Sequence, residues 1–95
     1  MYLLQPTKLF LKQYKELESQ ANSILEKRIN LLKINPYRNK RINGFNQVLF
    51  RVRFKDHGKE KRLVYSVDRP FIKLICILDR KNDYKDLKKY LDKID

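Results

Sequence analysis

The chain has 95 residues, which suffices for one domain spanning residues 1–95. Hydrophobic residues make up 42% of it, and this fraction excludes the composition of an intrinsically disordered protein. Lysine and arginine number 23 against 11 acidic residues, and the formal net charge of +12 predicts a polyanionic partner such as nucleic acid or the ribosome. A solvated basic surface with no such partner is the alternative interpretation.

Cysteine usage and hydropathy exclude several classes of protein. Cys76 is the single cysteine, so an intrachain disulfide and a cysteine-based zinc site are both excluded. It lies in the apolar run 74–78, where a buried, unreactive thiol is expected. No apolar stretch approaches the roughly 18 residues of a membrane span, and the N-terminus shows no signal-peptide segment. We therefore expect a cytoplasmic protein with no membrane partner.

The chain begins with a short apolar segment. Residues 2–5 precede Pro6, a pattern that fits either an edge strand or a leader into a helix. Thr7 is a candidate N-cap for the helix that follows.

Residues 8–34 predict helical structure. They contain neither glycine nor proline, and Asn35-Pro36 ends the segment. Ser19 could cap a second helix, so one long helix and a helical hairpin both remain open. Apolar residues recur mostly at intervals of three and four, as in an amphipathic helix; they are Phe10, Tyr14, Leu17, Ala21, Ile24, Leu25, Ile29 and Leu32.

The second half of the chain changes to a period of two residues, which indicates strands. Residues 36–47 are expected to form a loop, and residues 48–55 and 61–68 to form two strands around a turn at Gly58. The side chains expected to face the core are Val48, Phe50, Val52 and Phe54 on the first strand and Leu63, Tyr65 and Val67 on the second. Those expected to face outward are Leu49, Arg51, Arg53 and Lys55, then Arg62, Val64 and Ser66.

A third strand and a terminal helix complete the predicted fold. Arg69-Pro70 turns the chain, and the nearly continuous apolar run 71–78 predicts a central strand covered on both faces. Residues 84–94 predict a short helix with Leu87, Tyr90, Leu91 and Ile94 on one side. The order of elements predicts an α+β fold in which helices pack on an antiparallel sheet.

The strongest chemical signal is a cluster of cations on one face of the predicted hairpin. Arg51, Arg53 and Lys55 share a face with Arg62 on the next strand, and Arg80 and Tyr84 could extend the group. Acidic residues are absent from 48–55, so we expect no compensating charge on this face. Like charges repel one another unless an anion lies between them.

Guanidiniums can stabilise the charge that builds up on a phosphate, and a tyrosine or a basic residue can orient an RNA 2′-OH, so the cluster suits metal-free RNA cleavage. A solvated strand face is the alternative.

An ordered series of short motifs resembles the RelE/ParE toxin superfamily. The motifs are Asn35-Pro36, Ile42-Asn43-Gly44, Phe50-Arg51-Val52-Arg53, Arg62-Leu63-Val64-Tyr65-Ser66-Val67, Asp79-Arg80 and Tyr84. The resemblance implies a RelE-like fold, with an N-terminal helical hairpin packed on an antiparallel sheet and a short C-terminal helix. It also implies the toxin of a type II toxin–antitoxin system, which cuts mRNA in the ribosomal A site by 2′-OH attack and needs no metal or cofactor. Its partners would be the ribosome, mRNA and a cognate antitoxin.

The resemblance also implies catalytic roles for five residues. Arg51 and Arg53 would hold the scissile phosphate and assist proton transfer, and Arg62 would stabilise the phosphate. Arg80 would stabilise the leaving group or the developing charge, and Tyr84 would stack on a base or orient it. Further RNA contacts are expected from Lys55, Lys59, Lys61, Arg38, Lys40 and Arg41.

Two departures from the family pattern concern proton transfer. Arg51 and Arg53 stand where relatives often have lysines, and arginine is a poor proton acceptor. Asp79 precedes Arg80, where relatives often have Gly-His or a basic residue. Asp79 could neutralise Arg80 or serve as a base, and His57 is a further candidate base. Two other functions also remain open, namely a ParE-like inhibitor of DNA gyrase and a non-catalytic RNA- or ribosome-binding protein.

Overall fold

The computed structural model describes residues 1–80 and 87–92. Its elements, in chain order, are β1 (Leu3–Pro6), α1 (Lys8–Lys15), α2 (Ser19–Leu32), β2 (Lys40–Ile42), β3 (Leu49–Asp56), β4 (Lys59–Asp68), β5 (Phe71–Asp79) and α3 (Leu87–Asp92). The predicted α+β class is confirmed. Within the described residues, no helix combines the length and the apolarity that crossing a membrane requires.

The N-terminal segment forms a helical hairpin rather than one long helix. Thr7 is the N-cap of α1, and its Oγ1 accepts a hydrogen bond from the Phe10 N–H at 3.0 Å, as predicted. The chain then turns at residues 16–18, and Glu18 rather than Ser19 stands at the N-cap of α2. Asn22 joins the two helices, because its side-chain amide donates to the Tyr14 carbonyl at 3.1 Å.

The sheet has five strands in the order β1-β5-β4-β3-β2. The three long strands pair antiparallel, as predicted. The apolar segment at the N-terminus forms an edge strand, because β1 pairs parallel with β5. The second edge strand was missed, since residues 40–42 fall in the segment expected to be a loop. They form β2 because Arg41 and Ile42 pair with Phe50 and Leu49 of β3, and Ile42 is buried.

Side chains pack into a hydrophobic core on each face of the sheet. The core under α1 and α2 includes Phe10, Ala21, Leu25, Ile29, Leu32, Phe50, Val52, Phe54, Leu63, Tyr65, Ile72, Leu74 and Ile77. The second core consists of Ile42, Leu49, Val64, Ile75, Cys76, Leu78 and Leu87. We call these two sides the helical face and the α3 face.

The second core corrects the predicted pattern of exposure. Leu49 and Val64, expected to face outward, are completely buried, because they pack in the core that includes Leu87 of α3. Val48, expected to face inward, is exposed and precedes the start of β3. Cys76 is buried as predicted, and burial raises the pKa of its thiol to about 12.

The terminal helix α3 lies within the predicted range 84–94. Leu87 is buried, and Tyr90 and Leu91 pack beside it against the second core, as the predicted apolar side requires. Two predicted members of this helix, Tyr84 and Ile94, lie outside the described residues.

Tyr65 of the Arg-Leu-Val-Tyr motif fixes the loop that leads into β2. Its ring stacks on Phe50 with the centroids 5.4 Å apart. Its hydroxyl donates to the Pro36 carbonyl at 2.7 Å and accepts from the Asn39 side-chain amide at 3.1 Å. Burial raises the pKa of this hydroxyl to about 12, so it remains a donor at all physiological pH values. The contacts hold the start of β2 beside β3.

Side chains of α1 complete the outer edge of β5 beyond the end of β1. The Thr7 hydroxyl donates to the Ile75 carbonyl at 2.6 Å. The Gln13 amide then bonds both backbone groups of Ile77, donating to its carbonyl at 2.8 Å and accepting from its N–H at 2.6 Å. One glutamine side chain thus takes the place of a strand residue at an edge that would otherwise expose unpaired backbone groups.

Candidate active site

The β3–β4 hairpin brings the predicted arginines onto one face. Arg53 lies opposite Arg62 in the register, and Arg51 lies opposite Val64. Cross-strand partners share a face of the sheet, so these arginines lie on the α3 face with Leu49 and Val64, as the alternation predicts. We call the group formed by Arg51, Arg53 and Arg62 the arginine cluster.

The exposure of the arginines increases from the centre of the sheet toward its margin. Arg62 has a residue exposure of only 7%, because β4 lies between β3 and β5 and the second core adjoins it. Arg51 is half-buried. The side chains of Arg53 and Arg80 are 56% and 68% exposed. The arginine cluster therefore has a buried guanidinium, that of Arg62, which we call its floor, and more exposed guanidiniums, which we call its rim.

A carboxylate that the sequence reasoning missed lies among these arginines. Glu60 has a side-chain exposure of 25%, and its Oε2 accepts a hydrogen bond from Arg80 Nη1 at 2.8 Å. Its Oε1 lies 3.8 Å from Arg53 Nε. The expectation of an uncompensated face was wrong, because it considered only residues 48–55 and the compensating charge comes from the neighbouring strand. The signal was present, since Glu60 stands two residues before Arg62 and so shares its face.

Other predicted site residues lie beside the cluster or outside the described part. Arg80 is brought to the cluster through its bond to Glu60. Lys55 lies opposite Glu60, and Lys40 lies opposite Arg51, so both lysines lie on the α3 face. Tyr84 lies outside the described residues.

The remaining predicted RNA contacts lie elsewhere on the surface. The Lys61 ammonium is on the helical face, bonded to Asp56 at 2.7 Å, and the exposed Lys59 is the register partner of Asp56. Arg41 pairs with Phe50 and is exposed. Arg38 lines a cavity with Arg28 and Arg53 at the side of β3. Arg38 therefore adjoins one member of the arginine cluster, whereas Lys59, Lys61 and Arg41 are not brought together with it.

The tip of the hairpin is a two-residue turn. His57 and Gly58 both have positive φ, at 52° and 75°, which matches a type I′ turn and confirms the predicted role of Gly58. The backbone N–H of His57 donates to the Glu18 carboxylate, which lies at the turn between α1 and α2. The two turns are therefore bonded to each other.

Asp56 is the centre of this contact between turns. It is only 2% exposed; its Oδ1 accepts from the Glu18 N–H at 2.8 Å and its Oδ2 from Lys61 Nζ at 2.7 Å. His57 Nδ1 lies 3.1 Å from the same Oδ2. Burial acts to raise the pKa of Asp56, but the hydrogen bonds from Lys61, Glu18 and His57 outweigh it and lower the pKa to about 2.

Three of these groups could in principle be metal ligands. The ligand atoms of Glu18, Asp56 and His57 lie within 4.8 Å of one another. The Lys61 ammonium already neutralises Asp56, and the Glu18 carboxylate accepts a hydrogen bond from the backbone of His57. These groups therefore join the two turns to each other rather than form a metal site. The two candidate proton acceptors named from the sequence, His57 and Asp79, belong to this side of the hairpin: Asp79 lies opposite Lys61 in the register.

Comparison with known proteins identifies the fold. No protein-family model and no curated protein matches the chain. Three solved structures from E. coli do. A double arginine-to-alanine mutant of the toxin RelE in the free state is 20% identical, with a TM-score of 0.75 over 97% of this chain and 95% of that one. The isolated RelE toxin is 20% identical, with a TM-score of 0.72 over 96% and 99%. A chain of the intact RelBE toxin–antitoxin complex is 23% identical, with a TM-score of 0.71 over 83% and 96%. The chain has the RelE fold, which confirms the fold that the resemblance implied.

Proposed function

We propose that this protein is the toxin of a type II toxin–antitoxin system and that it is a ribosome-dependent endoribonuclease acting in the cytoplasm. The observation that supports the proposal most is the arginine cluster, graded from a buried Arg62 to an exposed Arg53, on a RelE fold. A site of this kind binds a phosphate, and its exposed rim admits a polymer strand rather than only a small ion.

The proposed reaction is cleavage of mRNA in the ribosomal A site by its own 2′-OH. Arg62 holds the scissile phosphate from the floor of the site, and Arg51 and Arg53 hold it from the rim. Guanidiniums remain charged at every physiological pH, so they stabilise the charge that builds up on the phosphate in the transition state. Arg80 stabilises the leaving group, and Tyr84 stacks on a base. The products are a cyclic phosphate and a 5′-OH, and no metal or cofactor takes part.

The proposed partners follow from charge and from the fold. A formal net charge of +12 favours ribosomal RNA and mRNA as partners. A cognate antitoxin would hold the toxin inactive; the similar E. coli chain solved in a toxin–antitoxin complex supports an antitoxin as partner. The antitoxin segment that meets the basic surface should be acidic, since complementary charge increases the association rate and the specificity.

The test is primer extension on an mRNA with and without translating ribosomes after the protein is added. We expect cuts on the translated message alone. Arg80→Ala should lower the cleavage rate about 100-fold or more, because it removes a charge at the site and leaves the core intact. Arg62 is less suitable for this test, since replacing a buried side chain also affects folding.

Arg69→Ala is the matched control. Arg69 has the same side chain but lies in the turn between β4 and β5, over the ring of Tyr2. Its replacement should leave cleavage within about threefold. Undiminished cleavage by Arg80→Ala would remove Arg80 from the site. No cuts by the wild-type protein, together with blocked supercoiling by gyrase, would replace the proposal with gyrase inhibition, and salt-dependent RNA binding without a product would indicate a non-catalytic binder.

A further inference from the structure

The proposed reaction needs a group that accepts the proton of the 2′-OH. The arginines are unsuitable, since a guanidinium has no acceptor and does not deprotonate in proteins. His57 and Asp79 are not on the α3 face, where the arginine cluster lies. The imidazole of His57 lies against Asp56 at the tip of the hairpin, and Asp79 lies opposite Lys61 on the helical face. Neither of these two groups adjoins the arginine cluster.

The three long strands place one carboxylate beside the arginine cluster. They carry four acidic residues, and alternation puts Asp56 and Asp79 on the helical face. Asp68 shares the face of Glu60, but it lies eight residues further along β4, about 26 Å away. Within β3, β4 and β5, Glu60 is therefore the carboxylate placed to act at the site.

We propose that Glu60 is the proton acceptor in RNA cleavage, an inference that rests on the proposed function. The Glu60 carboxylate takes the proton of the 2′-OH as the 2′-oxygen forms a bond to phosphorus. The bond between phosphorus and the 5′-oxygen breaks, and the departing 5′-oxygen takes a proton from water. Glu60 then returns its proton to solvent.

The contacts of Glu60 fit this role. Arg80 binds Oε2 closely at 2.8 Å, whereas Arg53 Nε lies 3.8 Å from Oε1. Arg80 therefore fixes the orientation of the carboxylate, and Oε1 is the more loosely held oxygen that can turn to a hydroxyl. The side chain is 25% exposed, so a bound nucleotide can reach it. Arg53 is proposed to hold the scissile phosphate and Arg80 to stabilise the leaving group, so their shared partner Glu60 lies next to the reacting atoms.

A second role for Glu60 predicts the opposite result. A carboxylate between guanidiniums could simply stand in for the phosphate and be displaced when RNA binds. Removing its charge would then strengthen RNA binding and increase the cleavage rate. A proton acceptor behaves differently, because removing it lowers the rate of the chemical step while binding is kept.

The experiment compares wild-type protein with Glu60→Gln, Glu60→Asp and Asp68→Asn on mRNA-programmed ribosomes. Single-turnover cleavage and RNA binding are measured in parallel. Glu60→Gln should lower the cleavage rate about 100-fold or more, with RNA binding no weaker than in the wild type. Glu60→Asp should retain part of the rate.

Asp68→Asn removes a carboxylate from the same face of the same strand and should stay within threefold of the wild type. If the wild-type protein cleaves and Glu60→Gln cleaves within threefold of its rate or faster, the role of Glu60 is overturned and the proposed function stands. A loss of cleavage that matches a loss of RNA binding overturns it as well. No cleavage by the wild-type protein overturns the proposed function and the role of Glu60 together.

Discussion

Two carboxylates at one hairpin behave differently because they lie on opposite faces of the sheet. Asp56 ends β3 on the helical face, buried, with donors from two turns and from Lys61. Glu60 lies four residues later on the α3 face, in contact with Arg53 and Arg80, whose side chains are more than half exposed. Donors supplied by the protein interior make Asp56 structural. Exposed cations that can exchange partners with a substrate leave Glu60 available for chemistry.

The difference between the two carboxylates is tested most directly by replacing each with its amide, which removes the charge and keeps the shape of the side chain. Asp56→Asn should lower the free energy of unfolding by about 2 kcal/mol, because the Lys61 ammonium and the Glu18 N–H lose a charged acceptor in a buried place. Urea unfolding followed by circular dichroism measures this. Cleavage per folded molecule should stay within threefold of the wild type.

Glu60→Gln is the matched control for stability. Its ion pairs involve exposed guanidiniums and water competes for them, so the free energy of unfolding should change by less than about 1 kcal/mol. Equal destabilisation by the two variants would contradict the division of roles between the two carboxylates.

Acid should act on Asp56 in a defined range of pH. Its pKa is lowered from 3.8 to about 2 in the folded protein. A group with a lower pKa in the folded state contributes stability that is present above the unfolded pKa and is lost as pH falls through the folded pKa. Thermal unfolding from pH 6 to 2 should therefore show the wild-type Tm falling between about pH 5 and pH 2.

The contribution of Asp56 is isolated by comparing this profile with that of Asp56→Asn. The asparagine cannot titrate, so the difference in Tm between the two proteins should shrink as the pH is lowered through the same range. A difference that stays constant from pH 6 to 2 would show that the Asp56 contacts do not depend on its charge.

The smallest expected effect concerns the turn that sets the register of the two carboxylates. Gly58 has φ of 75°, and a Cβ there would meet no atom within 4 Å, so Gly58→Ala introduces backbone strain alone. The free energy of unfolding should fall by about 1 kcal/mol. Lys59→Ala, an exposed neighbour at an ordinary φ, should change it by less than about 0.5 kcal/mol in the same urea experiment. An equal loss of unfolding free energy in both variants would show that the positive φ of Gly58 is not the cause of the destabilisation.

Much of the sheet could be predicted because alternation is a local property. The residues of β3 and β4 sort onto two faces without knowledge of their partners, and this placed Arg51, Arg53 and Arg62 together. The strand β2 was missed, since three residues carry too little pattern and its conformation is set by pairing with β3. Leu49 and Val64 were expected to be exposed, because the α3 helix that packs against their face is distant in sequence.

The site was predicted less completely than the fold. Glu60 was overlooked because its importance depends on Arg53 across the hairpin and on Arg80 beyond β5, a set of contacts that only the register creates. Conversely, Lys61 was grouped with the RNA contacts on charge alone, and its ammonium lies on the opposite face, bonded to Asp56. Charge type can be read from a sequence, but the face on which a charge acts depends on the strand pairing around it.

The contacts between α1 and β5 determine when the fold can form during synthesis. Gln13 and Ile77 are 64 positions apart, and β1 likewise pairs with β5. Non-local contacts of this kind close a long loop and form late. Ribosomes synthesise the N-terminus first, so β1 and α1 emerge without the strand on which they dock. Arg80, the last charged group of the described site, follows that strand directly. The growing chain therefore cannot assemble its site before β5 and Arg80 have been translated.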